Sequence, residues 1–138
     1  MVGVSERLWS IRVYENLIIE PKILGLTEPF TTETLIMSPS IWRKNEFEWY
    51  MWTCNGRKIF LYFSKDGVRW NGRSECSLIF KTMPNYLPWH LSLKPNYQKQ
   101  RLEFLICGSS NQRKMSLLYG ETSMKDLLNI TDLWKISC

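Results

Sequence analysis

Apolar and polar residues alternate with a period of two through the middle of the chain, as they do in half-buried β-strands. The clearest case is the segment KIFLYF at residues 58–63, and residues 47–54 repeat the pattern just before it. Asn55-Gly56 joins the two segments and is typical of a two-residue hairpin turn. Residues 35–42 come first and read as another buried strand, so the pattern predicts an antiparallel meander.

A turn motif follows this meander directly. Residues 64–70 read SKDGVRW, a serine, an aspartate-glycine pair and a tryptophan. Asp66 is suited to accept backbone N–H bonds, and Gly67 can adopt a positive φ. Trp70 is large enough to fold back over the hairpin as an apolar cover. We therefore expect a structural role for Asp66, and we expect residues 76–80 to form a fourth, outer strand.

The same order of segments then starts again. Residues 89–93, 102–108 and 115–122 match the first, second and third strands, and residues 133–137 match an outer one. Cys54 and Cys107 close equivalent second strands, which gives a repeat of about fifty residues, a period typical of propeller blades and other arrays. Residues 126–133 fit a short helical turn as well as a strand, because their leucines do not alternate cleanly.

The repeat predicts one propeller-like domain over residues 1–138. Its parts are a leading segment at 1–33, a first blade at 34–82 and a second blade at 83–138. The leading segment holds two short apolar pieces, residues 17–20 and 21–24, that are broken by a proline. An antiparallel four-stranded sheet cannot bury both faces alone, so blades of this kind stack against neighbours.

Composition limits the classes of protein that remain. The 138 residues are 44% hydrophobic and 14% aromatic, which excludes a disordered chain and favours strands. The net charge of +5 comes from scattered basic residues, so we expect no nucleic-acid partner. Four cysteines without a CxxC pair, and a single histidine, predict no metal site. The even count allows a disulfide framework, but free thiols are the preferred expectation for a chain of this size. No cofactor is expected. No segment is long and apolar enough to span a membrane and no export signal is visible, so a soluble, cytoplasmic protein without a membrane partner is expected.

The successive motifs resemble those of a known superfamily. They are SPSIW at residues 38–42, WYMW at 49–52, LYFSKDGVRW at 61–70 and PWH at 88–90. Together they are similar to blades of the five-bladed β-propellers of the family-43 and family-32 glycoside hydrolases, over residues 34–125. The resemblance implies an all-β fold with antiparallel four-stranded blades, a partial propeller of about two blades.

The resemblance also directs attention to the strand starts that would face the central funnel. Such hydrolases place acids there, because one carboxyl group protonates the leaving oxygen while another activates water or attacks the sugar. This chain has Ser38 at one such start and Trp89-His90 at the next, so no catalytic residue is assigned. Ser38, Trp42, Trp89 and His90 are the candidate substrate-binding residues. Packing between blades is an equally good role for Trp89, and bonding to a backbone group is the plainer role for His90.

Two classes of function follow from the resemblance. The first is a carbohydrate-active protein that recognises glycans or hydrolyses glycosidic bonds with carboxylates from other blades. The second is a non-catalytic carbohydrate-binding or assembly module, and an interaction protein without a sugar ligand is a third possibility. Two blades would leave large apolar faces open. The open faces predict additional blades from a longer hydrolase-like chain, a homo-oligomer or other partner that closes the ring, or face-to-face packing of the two sheets as a sandwich.

Overall fold

The computed structural model describes most of the chain from residue 37 onward and four short strands before it. The described residues are 7–9, 12–15, 22–26, 30–32, 37–55, 58–80, 86–109 and 115–136. The four short strands form two antiparallel pairs, β1 with β4 and β2 with β3; their bounds are Arg7–Trp9 (β1), Arg12–Glu15 (β2), Lys22–Leu26 (β3) and Phe30–Thr32 (β4). Strand β3 overlaps the predicted piece at 21–24, and the piece at 17–20 lies outside the described residues.

The first sheet is an antiparallel meander in the order β5-β6-β7-β8. Its strands are Met37–Asn45 (β5), Glu48–Asn55 (β6), Lys58–Ser64 (β7) and Trp70–Glu75 (β8). The first three confirm the strands expected from the alternating pattern. Asn55 is paired with Lys58, and the intervening residues of the predicted hairpin turn lie outside the described part of the chain. The prediction for the fourth strand was wrong: it is β8, which begins at the motif tryptophan.

The second sheet has five strands in the order β10-β11-β12-β13-β9. Its strands are Leu87–Asn96 (β10), Arg101–Ser109 (β11), Met115–Ser123 (β12), Asn129–Lys135 (β13) and Ser77–Phe80 (β9). Four strands form an antiparallel meander, and β9 adds to its edge in parallel with β13. Residues 77–80, expected on the outside of the first unit, therefore belong to the second sheet.

Residues 124–128 form bends and a turn before β13, and not the short helical turn that the leucine pattern also allowed. The Thr122 side chain is buried, and its hydroxyl is hydrogen-bonded to the carbonyl oxygen of Asn129 at 2.7 Å. Because this hydroxyl holds the chain at the end of the turn, the segment enters a strand at Asn129 instead of continuing as helix. The described residues form no helix, and hence none that could cross a membrane.

The main core lies between the two sheets. Trp52 of β6 packs edge-on against Phe104 of β11 with 5.5 Å between ring centroids, and both are fully buried. Trp42 stacks on Tyr50 at 5.7 Å between centroids. Aliphatic side chains of the second sheet complete this core: Leu91, Leu102, Ile106, Leu118, Ile130 and Leu133. Burial of each large side chain contributes roughly 1.5–3 kcal/mol, so this interface holds the sheets together.

These observations confirm the predicted fold class. The described chain is all-β, with antiparallel four-stranded meanders that follow one another in sequence and pack face against face. The described sheets close no barrel or ring among themselves. Both sheets derive from the period-two pattern, because alternating side chains give each strand one apolar side.

A second, smaller core covers the other side of the first sheet. It contains Met51, Phe60, Tyr62 and Trp70, which are at most 8% exposed. Trp70 thus folds over the hairpin as the motif predicted. The sheet is buried on both sides, which explains why four consecutive side chains of β6, from Met51 to Cys54, are all inaccessible.

The turn between β7 and β8 is held by the serine and the aspartate of the motif. The Ser64 hydroxyl oxygen accepts the N–H of Gly67 at 2.9 Å, and Asp66 Oδ1 accepts the N–H groups of Val68 and Arg69 at 2.9 and 2.8 Å. Gly67 has a φ of 75°, and a Cβ there would lie 3.2 Å from the Trp49 ring. The backbone bonds from Arg69 and Val68 lower the pKa of Asp66. The expected structural role of Asp66 is confirmed.

This turn leads to a prediction about acid stability. Asp66→Ala removes an acceptor of two backbone bonds and should lower the free energy of unfolding by about 1 kcal/mol at neutral pH. The folded-state pKa lies below the ordinary value, so the charged group stabilises the fold above that value and this contribution is lost as the pH falls through the folded pKa. Urea unfolding of the wild type and the variant should therefore converge as the pH falls below the ordinary pKa of an aspartate. Asp66→Asn is the control, since it keeps the acceptor oxygen without the charge; a gap that stays constant with pH would contradict the assignment.

Candidate functional site

The first strands of the two sheets lie against each other. Strand β5 contacts β10 along the interface, and each carries an irregularity close to its start. The register of β5 against β6 shifts between Met37 and Ser40, and that of β10 against β11 shifts between Pro88 and His90. Bulges of this kind redirect side chains out of the regular alternation. Both strand starts are therefore shaped to present side chains away from the pleat.

Ser38 and His90 meet at this place. The Ser38 Oγ is hydrogen-bonded to Nδ1 of the His90 ring, although the two residues are 52 positions apart in sequence. Ser38 has a φ of 49°, in the left-handed region that costs a non-glycine residue about 1 kcal/mol or more. With Nδ1 engaged by the serine, the other ring nitrogen of His90, Nε2, is available to a further partner. The bond joins the two sheets at the strand starts singled out from the sequence.

Trp89 follows Pro88, which is buried, and precedes His90. It lies where the register of β10 against β11 shifts. Its side chain is 44% exposed, which is unusual for a tryptophan in a chain with so much aromatic core. His90 is also exposed. An exposed aromatic ring can stack on an apolar ligand face, and an exposed imidazole and a hydroxyl can hydrogen-bond polar ligand groups. We call Ser38, Trp89 and His90 the strand-start site.

A second polar bond between the sheets was not foreseen from the sequence. The Ser40 Oγ accepts the backbone N–H of Leu93 at 3.2 Å, two residues along β5 from Ser38. It fixes β5 against β10 next to the strand-start site. The sequence signal for this bond is the SPS motif at residues 38–40, which places two serines two positions apart near one end of a strand.

The fourth candidate, Trp42, lies elsewhere. Its side chain is 3% exposed and stacks on Tyr50, and its indole N–H points to the hydroxyl oxygen of Tyr97 at 3.5 Å. The structure places it in the core between the sheets and does not bring it together with Ser38 or His90. Its aromatic character serves packing here.

Carboxylates are absent from the described strand ends that border the site. The end of β6 that pairs with the start of β5, and the end of β11 that pairs with the start of β10, carry no acid at residues 53–55 and 107–109. Glu46 and Glu48 belong to the turn region at the far end of β5. Bonds from Lys44 and Asn45 lower the pKa of Glu48. The described part of the chain thus offers no carboxylate pair at this site.

The described cysteines carry free thiols and belong to no metal site among the described residues. Cys54, Cys76 and Cys107 are free, as expected, and Cys138 lies outside the described residues. Burial raises the pKa of Cys54 and of Cys76 to about 12, so both are un-ionised and poor nucleophiles at neutral pH. Within the described ranges, no three His, Cys, Asp or Glu side chains come together as a metal site.

Comparison with known proteins gives one structural neighbour. No family model matches the chain, and no curated protein matches it. A crystal structure of an N-acetylgalactosamine deacetylase from F. plautii, in complex with blood group B trisaccharide, is similar with a TM-score of 0.63 and 15% sequence identity. The similarity covers 76% of this chain and 31% of the deacetylase chain. At this identity it shows a shared all-β fold, and this chain spans less than a third of the neighbour's length.

Proposed function

We propose that this chain recognises carbohydrate at the strand-start site. The observation that carries the proposal is the hydrogen bond between Ser38 and His90, which joins the starts of the two facing strands beside the exposed Trp89. The packing of the sheets thereby holds the two polar groups together, and Trp89 directly precedes His90 in the chain. A prearranged site loses less conformational entropy on binding than one that a ligand must assemble.

The chemistry of these groups suits a sugar. One face of a pyranose ring carries C–H groups that pack on an aromatic ring, and its hydroxyls both donate and accept hydrogen bonds. Trp89 offers the ring, His90 Nε2 can donate or accept according to its tautomer, and the Ser38 hydroxyl can do both. The structural neighbour is a carbohydrate-modifying enzyme crystallised with a trisaccharide. This supports the ligand class at the level of the fold.

Recognition is favoured over glycosidic-bond hydrolysis by the described chain. Hydrolysis of the usual kind needs two carboxyl groups about 5–10 Å apart. The carboxylates whose side chains are described lie in turns or in ion pairs, such as Glu48 with Lys44 at 3.2 Å and Glu75 with Lys58 at 2.7 Å. A hydrolytic activity of the family-43 or family-32 kind would therefore need carboxylates supplied from further blades, as the resemblance implies.

Isothermal titration with soluble oligosaccharides tests the proposal. We expect saturable binding of at least one member of a panel that starts from the blood group B trisaccharide and its component methyl glycosides. Trp89→Ala should weaken binding at least about tenfold, because it removes the stacking surface. His90→Ala should have a similar effect. Phe47→Ala is the matched control, since Phe47 is an equally exposed type of residue, 71% accessible, at the distant β5–β6 turn.

Two results would count against the proposal. The first is the absence of saturable binding across the panel, and the second is binding that Trp89→Ala and Phe47→Ala weaken equally. Release of nitrophenol from aryl glycosides by the same preparation would replace recognition with hydrolysis. In that case, substitution of single carboxylates would locate the catalytic groups.

A further inference from the structure

Ser38 and His90 form a pair whose chemistry goes beyond the recognition of a ligand. The Ser38 Oγ is hydrogen-bonded to Nδ1 of His90, and solvent reaches both residues, since Ser38 is partly exposed and His90 is exposed. A serine hydroxyl within hydrogen-bond reach of an imidazole is the arrangement that activates serine as a nucleophile. The imidazole takes the hydroxyl proton while the oxygen attacks. The contact is therefore suited to covalent chemistry.

The backbone of Ser38 is a second, independent observation. Its φ is 49°, and the other described non-glycine residue with a positive φ, Gln100, lies in the turn between β10 and β11. Ser38 lies within β5 and precedes Pro39, and a residue before proline ordinarily adopts an extended conformation. Backbone strain of this kind is concentrated at active sites, where the surrounding structure maintains it. The strain thus singles out the serine of the pair.

The packing of the two sheets fixes the pair before a ligand arrives. Ser38 belongs to the first sheet and His90 to the second, and 52 positions separate them in sequence. Strands β5 and β10 contact each other, and the Ser40 Oγ accepts the backbone N–H of Leu93 at 3.2 Å. Reacting groups that are already in place avoid the entropic cost of being brought together. The fold itself therefore supplies the proximity of hydroxyl and imidazole.

We propose that Ser38 is a nucleophile, activated by His90, that accepts an acyl group from carboxylic esters. The step uses the tautomer of His90 with its proton on Nε2, so that Nδ1 accepts the Ser38 O–H. The hydroxyl proton moves to Nδ1 as Oγ forms a bond to the carbonyl carbon of the ester. The bond from that carbon to the alcohol oxygen then breaks, and the proton on Nδ1 passes to the leaving oxygen.

This step leaves Ser38 acylated, and water from the solvent completes the reaction. Water attacks the acyl carbon and gives a proton to Nδ1 of His90. The bond between the acyl carbon and Oγ breaks, the carboxylic acid leaves, and the proton returns from Nδ1 to Oγ. Both side chains are then as they were before the ester arrived.

The surroundings of the pair favour activated esters over amides. The described strand ends that border it carry no acid at residues 53–55 and 107–109, so no carboxylate from these ends orients the imidazole as in a Ser-His-Asp triad. Loss of that third group weakens proton transfer by the imidazole. The nitrogen of an amide must be protonated before it leaves, whereas the oxygen of an activated ester leaves readily. We therefore expect fast acylation by such esters and slow release of the acid.

Covalent labelling with diisopropyl fluorophosphate is the deciding experiment. The reagent phosphorylates activated serine hydroxyls with release of fluoride, and mass spectrometry of peptides locates the label. We expect a single label, on Ser38. Ser38→Ala should abolish it, and His90→Ala should slow it at least about 100-fold, because it removes the general base. Ser92→Ala is the matched control: Ser92 is an exposed serine on β10, two positions from His90, and its loss should leave the labelling rate unchanged.

Measurements on the unaltered chain cover the case in which a variant misfolds. Urea should abolish the labelling of Ser38, because the folded chain alone brings His90 to it. 4-Nitrophenyl acetate should release a burst of nitrophenolate close to one equivalent per chain, and prior labelling should abolish the burst. A folded chain in which Ser38 stays unlabelled would overturn the proposal. Labelling of Ser38 that persists unchanged in urea would overturn it as well.

The proposal does not rest on the recognition of carbohydrate, since none of these readouts contains a sugar. Saturable sugar binding by a chain that the fluorophosphate leaves unlabelled would retain recognition and reject the nucleophile. Labelling of Ser38 in a chain that binds no sugar would do the reverse.

Discussion

Replacement of Trp52 with alanine should lower the free energy of unfolding by about 3–5 kcal/mol, the range for a large aromatic side chain lost from a core. The residue is completely buried, and its ring meets Phe104 of the other sheet edge-on with 5.5 Å between centroids. A cavity at this point removes contacts from both sheets at once. Urea unfolding followed by far-ultraviolet circular dichroism measures the change. A loss of this size leaves a single domain close to unfolded.

The control for this prediction is Phe47→Ala, which removes an aromatic side chain that is 71% exposed. Its effect should stay within about 0.5 kcal/mol. Phe104→Ala should be about as costly as Trp52→Ala, and the double variant should cost less than the sum because the two rings contact each other. Additive effects would show that the rings do not depend on one another, which would contradict the described interface.

Gly108→Ala should also destabilise the protein strongly, by about 3 kcal/mol or more. A Cβ at Gly108 would collide with the carbonyl oxygen of Leu87 and lie 2.9 Å from the Tyr86 ring. The obstacle is the backbone of β10 where it pairs irregularly with β11, so no flexible side chain can move aside. The thermal midpoint and the urea midpoint should both fall.

Gly72→Ala provides the comparison for this second prediction. A Cβ there would meet no atom within 4 Å, although its φ of 69° still disfavours alanine. We expect about 1–2 kcal/mol from backbone strain alone. If the two alanine variants were equally stable, steric contact between β10 and β11 would not be what requires glycine at position 108.

The sequence predicted the parts of the fold that depend on neighbouring residues. Strands β5, β6 and β7 follow from alternation, because a strand with one apolar side must place every second residue in a core. The bonds of Ser64 and Asp66 follow from the motif, since both residues act within three positions of their own place in the chain. The repeat located the second meander through Cys107.

The features that the sequence did not reveal depend on residues far apart. Strand β9 has the same apolar character whether it pairs with β8 or β13, so its placement in the second sheet is decided by packing. The bond between Ser38 and His90 depends on two bulges that no local pattern marks. Trp42 was a reasonable ligand-stacking residue by type, yet the ring lies in the core between the sheets, where it stacks on Tyr50.

The position of β9 has a consequence for how the chain folds. The strand leaves the first sheet at Cys76, whose N–H is bonded to Ile59, and it then pairs with β13, about fifty residues later. The intervening three strands must therefore be ordered before this edge can close, and the loop entropy is lost before the pairing can compensate it. The two meanders are connected through a late, long-range step, so they should unfold as one cooperative unit rather than as two independent blades.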